Sequence, residues 1–191
     1  MGTRNVTIIK HNEQERVRQY GQWDGYPTTA LAEIVKFLKT DGAIEHLKQN
    51  LPKCVLTPEE MFKYPKNFEA IGKEVYNKYI SMIGLKTYEE KLQNINYTKA
   101  DMFRYHCATR DTGYYISELL TTSAADEAVV IMLSKAYTNK IDWQIEAVNI
   151  IDLDNKQIIS YWHDAKAEWS FDNLPSEDEI KMFECGKEYA V

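Results

Sequence analysis

Hydrophobic and polar positions alternate over Thr3 to Lys10, stop at the polar stretch His11-Asn12-Glu13-Gln14-Glu15, and alternate again from Arg16 to Gln22. Two β-rich runs of period two around a polar turn predict an N-terminal hairpin, with Arg4, Val6 and Ile8 on one face of its first strand. The period changes after Trp23-Asp24-Gly25-Tyr26-Pro27. Leu31, Ile34, Val35 and Leu38 then recur at helical spacing, and Pro27 suits the first position of a helix running to about Lys39. In the middle, Phe68, Ile71, Val75, Tyr79 and Met82 fall three or four apart, between capping patterns at Thr57-Pro58-Glu59-Glu60 and Thr87-Tyr88-Glu89-Glu90. Residues 41–100 therefore read as a helical insertion or cap whose apolar stripe is core packing. Further on, Asp111 suits the N-cap of a second amphipathic helix. The stretch from Ile141 to Asp152 is β-rich, Asp154-Asn155 is a turn, and Gln157 to Trp162 is a returning strand. A short strand is expected around Glu168 to Phe171, then a helix from Ser176 through Glu184 with Ser176 capping and Glu179 at N3. Two hairpins separated by helices predict one α+β domain over residues 1–191. Its antiparallel sheet is built from the N-terminal and C-terminal hairpins, with helices packed on it.

At 191 residues such a domain can bury a core without disulfide or metal staples. Cys54, Cys107 and Cys185 are an odd number with no C-x-x-C spacing, so neither a disulfide framework nor a zinc knuckle is expected. No stretch reaches the roughly 18 apolar residues needed to cross a bilayer, and the start MGTRNVTIIK lacks the apolar run of a signal peptide. A cytoplasmic location is the expectation. The formal net charge of -6 is unevenly spread. Residues 1–53 carry eight Lys or Arg against six Asp or Glu, residues 54–120 nine against nine, and residues 121–191 six against fourteen. This balance gives no general attraction for duplex nucleic acid or an anionic membrane, while a small anion needs only two or three well-placed cations. All five arginines, Arg4, Arg16, Arg18, Arg104 and Arg110, lie in the first 110 residues. The thirteen Tyr and four Trp supply flat surfaces with a polar tip, suited to stacking on a ring as well as to a core.

The opening Met1-Gly2-Thr3-Arg4-Asn5-Val6-Thr7, the block Gln19-Tyr20-Gly21-Gln22-Trp23-Asp24-Gly25-Tyr26-Pro27, the turn Arg110-Asp111-Thr112-Gly113 and the strand Ile150-Ile151-Asp152-Leu153-Asp154 belong together. As a set they resemble an uncharacterised protein family frequent in bacteriophages and seen also in bacteria and fungi. The resemblance covers both ends of the chain and leaves the helical middle unmatched. It implies a phage setting and no particular reaction. Thr28-Thr29-Ala30 stand where members of the family carry a Gly-rich segment, which argues against a phosphate-cradling loop at this helix start.

The chemistry available to these blocks points first to a ligand pocket. Arg4 and Arg110 can hold an anionic group through paired N–H donors, Trp23 and Tyr26 can stack on a ring, and Gln22, Asp24 and Asp111 can read its edge. The bland alternative is that the aromatics pack the turn while Asp24 caps it and Arg110 pairs with an aspartate. A metal-assisted, phosphodiesterase-like hydrolase would draw on Glu146, Asp152 and Asp154, which lie on or beside one predicted strand. Asp152 and Asp154 also flank a hairpin turn, where Asp is common for local hydrogen bonding. A third reading makes the acidic C-terminal third an inhibitor of a host defence protein. No cofactor motif is present: there is no P-loop, no G-x-G-x-x-G, and no metal-spaced pair among His11, His46, His106 and His163. The leading expectation is a phage-type protein that sequesters a nucleotide-derived anionic ligand to counter host defence. Homo-oligomerisation is left open.

Overall fold

The computed structural model describes residues 2–56, 113–121, 132–133 and 145–186. Strands β1 (Asn5–His11) and β2 (Gln14–Gly21) form the N-terminal hairpin, with a register shift between Ile9 and Lys10 that makes room for one extra residue. The hairpin is tighter than the polar stretch suggests. Only Asn12 and Glu13 lie outside the strands, and both have positive φ, 54° and 59°, as the twist-matching type I′ turn requires. A non-glycine pair pays strain for that geometry, and the backbone N–H groups of Asn12 and Glu13 recover part of it by donating to the two carboxylate oxygens of Asp154 at 2.9 and 2.8 Å.

After the corner at residues 22–26 the chain enters a wide helical turn over Pro27–Leu31, in which the Ala32 N–H reaches back to the Pro27 carbonyl, and continues as α1 (Ala32–Leu38). Helix α2 (Ala43–Asn50) follows a left-handed Gly42, φ 73°. Residues Val55–Leu56 (β3) make a short parallel bridge to Met132–Leu133 (β4), and a one-turn segment Gly113–Tyr115 leads into α3 (Ile116–Leu119). Strands β5 (Ala147–Asp152), β6 (Gln157–Trp162) and β7 (Ala165–Ser170) form an antiparallel meander, closed by α4 (Glu177–Glu184). Helix α4 starts with the expected capping box: the Glu179 N–H donates to Ser176 Oγ and the Ser176 N–H to Glu179 Oε2.

The five-stranded sheet has the order β2-β1-β5-β6-β7. Both hairpins are present, and the fold is α+β with a mostly antiparallel sheet. The hairpins meet through one parallel pair, β1 with β5, from Asn5 opposite Ala147 to Lys10 opposite Asp152. Alternation along β1 points Asn5, Thr7 and Ile9 toward the helices and Val6 and Ile8 toward the other face. On the helix side Ile9, Val17, Ile151 and Ile158 pack with Leu31, Ile34 and Ile180 in the main core. Ala43, Leu47 and Leu51 belong to that same core, so the start of the segment expected as an insertion is built into the domain. The other stripe, Phe68 to Met82, lies outside the described residues.

One transverse row of the helix-facing side is polar. Gln19, Thr7, Asn149 and Ser160 lie in register across four strands, and all four are buried. Ser160 Oγ donates to Asn149 Oδ1 at 2.7 Å, and Gln19 Nε2 donates to the Tyr20 carbonyl.

Candidate functional site

Three of the four quoted sequence blocks converge on one residue, Asn5, while the strand Ile150-Ile151-Asp152-Leu153-Asp154 runs to the opposite end of the sheet, beside Lys10 and the hairpin tip. Its side chain is fully buried at the start of β1, and its Nδ2 donates to the Trp23 carbonyl at 3.1 Å. The opening segment runs against the same corner, where the Gly25 N–H donates to the Thr3 carbonyl at 3.1 Å. Three glycines make this approach possible. A Cβ on Gly21 would stand 2.7 Å from both terminal atoms of the Asn5 carboxamide and 2.8 Å from the Gly113 Cα. A Cβ on Gly25 would meet the Asn5 Cβ and the Thr3 carbonyl at 2.9 Å, and Gly113 itself sits at φ 46° against Gly21. Side chains there would force the backbones apart, since contacts under 3.0 Å do not occur at real Cβ atoms. Gly113 is the last residue of the Arg110-Asp111-Thr112-Gly113 block. Gly113 thus brings the end of that block to the corner, while Arg110, Asp111 and Thr112 lie outside the described residues.

The expected ligand-binding residues divide around this hub. Trp23 is 53% exposed, with the Gly2 backbone against its indole: a Cβ on Gly2 would overlap Trp23 Cε3. Tyr26 is 46% exposed and its ring lies 5.8 Å from that of Trp162, tilted by 49°. Asp24 takes a left-handed conformation at φ 53°, which Asp tolerates, and contributes to the negative surroundings of Tyr114. Burial first, then the neighbouring Tyr115 and the charges of Asp24 and Glu33, hold the Tyr114 phenol far above its ordinary range. Gln22 is engaged through its side-chain Oε1, which accepts from the Tyr20 hydroxyl at 2.8 Å. Arg4 extends the sheet: its carbonyl accepts from the N–H groups of Glu146 and Ala147, and its own N–H donates to Glu146 Oε2 at 2.7 Å. The same Glu146 accepts through its carbonyl from the His163 N–H at 2.9 Å. Arg4, Glu146 and His163 thus form the last row of the sheet beside the corner.

The carboxylates proposed for metal-assisted hydrolysis do not come together. Glu146 precedes β5 and Asp152 ends it, six residues or roughly 20 Å apart along an extended strand, although alternation places both on one face. Asp152 closes its own turn, accepting from the N–H groups of Asp154 and Asn155 and from the Asn155 amide. Asp154 holds the tip of the N-terminal hairpin, and those two N–H donors, with His11 3.2 Å away, lower its carboxyl below the usual range. Among the described residues no group of three or more His, Cys, Asp or Glu is placed to hold a metal ion.

One residue of this region escapes a reading of motifs. Glu184, at the end of α4, places its carboxylate 2.8 Å from the Thr28 N–H, and its carbonyl accepts from the Trp162 indole. The N-terminus of the helix that follows Pro27, the place considered for a phosphate cradle, is thus capped by a carboxylate from the far end of the chain. The hub residue Asn5 did leave a signal: on the core-facing side of β1 two polar residues, Asn5 and Thr7, precede Ile9 where an ordinary core strand continues apolar. Among the described residues no helix is long and apolar enough to cross a membrane. Comparisons with family models, curated proteins and solved structures give no match for this chain.

Proposed function

We propose that the corner around Asn5 binds a small anionic molecule carrying a planar ring, of the nucleotide class, and that the protein acts by holding this molecule rather than by cleaving it. The observation that carries the reading is Trp23. A large aromatic on a turn normally turns inward, yet this indole keeps half its surface in solvent while the Gly2 backbone fixes its position from beneath. A ring held in place before the ligand arrives loses little entropy on binding, and stacking of a base on such a surface contributes about 1–3 kcal/mol. Tyr26 offers a second exposed ring three residues on, and Arg4 brings a cationic side chain to the same end of the sheet. Sequestration is favoured over hydrolysis because Glu146, Asp152 and Asp154 are spread over both ends of β5 and each accepts backbone N–H groups. The phage setting implied by the sequence blocks extends the reading to capture of a nucleotide-derived signal of host defence.

The test is direct. Purified protein is mixed with a panel of cyclic and linear nucleotides, separated from free ligand, heat-denatured, and the released material analysed by mass spectrometry. Release of one intact nucleotide, and its loss in Trp23→Ala, is the expected result. A chemically altered product would assign the chain to catalysis, and no retained nucleotide in any member of the panel would remove the reading.

A further inference from the structure

Strand β7 ends the sheet, and among the described residues no strand pairs with its outer edge. The Phe171 N–H donates to the Lys156 carbonyl at 2.8 Å, in register with the β6–β7 ladder. Hydrogen-bonded pairs in an antiparallel ladder recur at every second residue, so Ala165, Ala167 and Trp169 direct their N–H and C=O groups to β6. Lys166, Glu168 and Ser170 direct theirs outward, and all three are exposed. The ladder is regular from Gln157 opposite Ser170 to Trp162 opposite Ala165, with no bulge, and the strand contains no proline. It therefore lacks two of the common devices that spoil a free edge, and relies on charge alone.

That charge pattern selects a partner. We propose that β7 pairs antiparallel with β7 of a second copy of this chain about a two-fold axis at Ala167, joining the two sheets into one of ten strands. Outward groups can bond only to outward groups, so an axis in the middle of the strand falls on Lys166, Ala167 or Glu168. An axis at Lys166 sets two lysines against each other, and one at Glu168 sets two glutamates against each other. The axis at Ala167 alone places Lys166 opposite Glu168 of the second copy, twice, as hydrogen-bonded cross-strand pairs. On the helix-facing side the same register sets small Ala165 against the larger Trp169. Within one chain Lys166 and Glu168 already pair along the strand and Lys166 lies 5.8 Å from the Tyr161 ring centre, so the charges are held on the face where the partner's would arrive. One edge buries far less than the roughly 1,600 Å² of a standard interface, so the dimer is weak and concentration-dependent.

Sedimentation velocity of the full chain over a concentration series tests this, beside Lys166→Glu, Glu168→Lys and the double exchange K166E/E168K. The wild type is expected to pass from monomer to dimer as concentration rises. Each single exchange puts like charges opposite and should raise the dissociation constant at least about tenfold, and the double exchange, which restores opposite charges, should bring it back. Hydrogen exchange on the wild type supplies a reading that needs no variant: the amides of Lys166 and Glu168 should gain protection with concentration while that of Asp154 does not. A wild type that stays monomeric with those amides unprotected, leaving the edge to some other strand, overturns the proposal. So does a dimer that the single exchanges do not weaken or the double exchange does not restore.

Discussion

The Asn5 carboxamide donates to the Trp23 carbonyl at 3.1 Å, linking the first strand to a corner eighteen residues later from a position with no solvent exposure at all. Its other terminal atom, Oδ1, is buried and has no hydrogen-bond partner among the described residues. An unpaired buried carbonyl is costly, and here the close approach of Gly21 and Gly113 shuts it off from water. The corner is held by fit as much as by bonding.

If that fit matters, Gly21→Ala destabilises the protein by about 1–3 kcal/mol, because the new methyl meets the Asn5 carboxamide and the Gly113 backbone. Asn5→Ala costs a similar amount by leaving the Trp23 carbonyl unpaired. Denaturant unfolding of both single variants and the double variant checks the contact: the double should cost less than the two singles together. Additive costs would place the two residues out of contact.

Trp23→Ala should separate binding from folding. The indole is half exposed, so its removal shifts stability by no more than about 0.5–1 kcal/mol. Loss of a stacking surface lowers affinity for a nucleotide-class ligand about 5- to 150-fold. Calorimetric titration beside a thermal melt measures both quantities on one sample.

The hairpin tips predict a pH dependence. Because the N–H groups of Glu13 and Asn12 hold Asp154 ionised, its folded pKa lies below the unfolded value. A depressed carboxyl contributes stability that is fully present above the unfolded value, near 3.8, and is lost as pH falls through the lower folded one. The melting temperature of Asp154→Asn should therefore lie below that of the wild type at neutral pH, with the gap closing as pH falls below about 4. A gap that stays constant in acid would show that the charge of Asp154 plays no part.

Glu184→Ala should cost about 1 kcal/mol by uncapping the helix that starts at Pro27, and Glu184→Gln, which keeps an acceptor oxygen, should cost less. Ser176→Ala, which breaks the capping box of α4, is a local counterpart of similar size. Thermal unfolding monitored by circular dichroism measures both costs, and amide exchange at Thr28, which should rise for Glu184→Ala alone, distinguishes them.

Local pattern made much of this architecture legible. Period-two alternation marked β1 and β2, β-rich runs on either side of the Asp154-Asn155 turn marked β5 and β6, the spacing of Leu31, Ile34, Val35 and Leu38 marked α1, and Ser176 with Glu179 marked the start of α4. These features depend on residues within a turn or two of each other, so a linear reading reaches them. The strand Ala165–Ser170 begins three residues before its expected start because Ala165, Lys166 and Ala167 have weak strand preference, and pairing with Ser160 to Trp162 overrides it.

The sequence by itself determined the hairpins and the helix that follows Pro27, and marked out the blocks of which three meet at one corner. Tertiary structure alone decided that the hairpins join through parallel β1 and β5, that Asn5 is the point where the corner blocks meet, and that Glu184 caps Thr28 across the domain. It also separated Glu146 from Asp152 by the length of a strand although both share its face. The physical reason is distance along the chain. Capping, alternation and turn chemistry act between near neighbours, whereas a carboxamide 18 residues from its acceptor and a carboxylate 156 residues from its donor are brought together only when the whole sheet and its helices are packed.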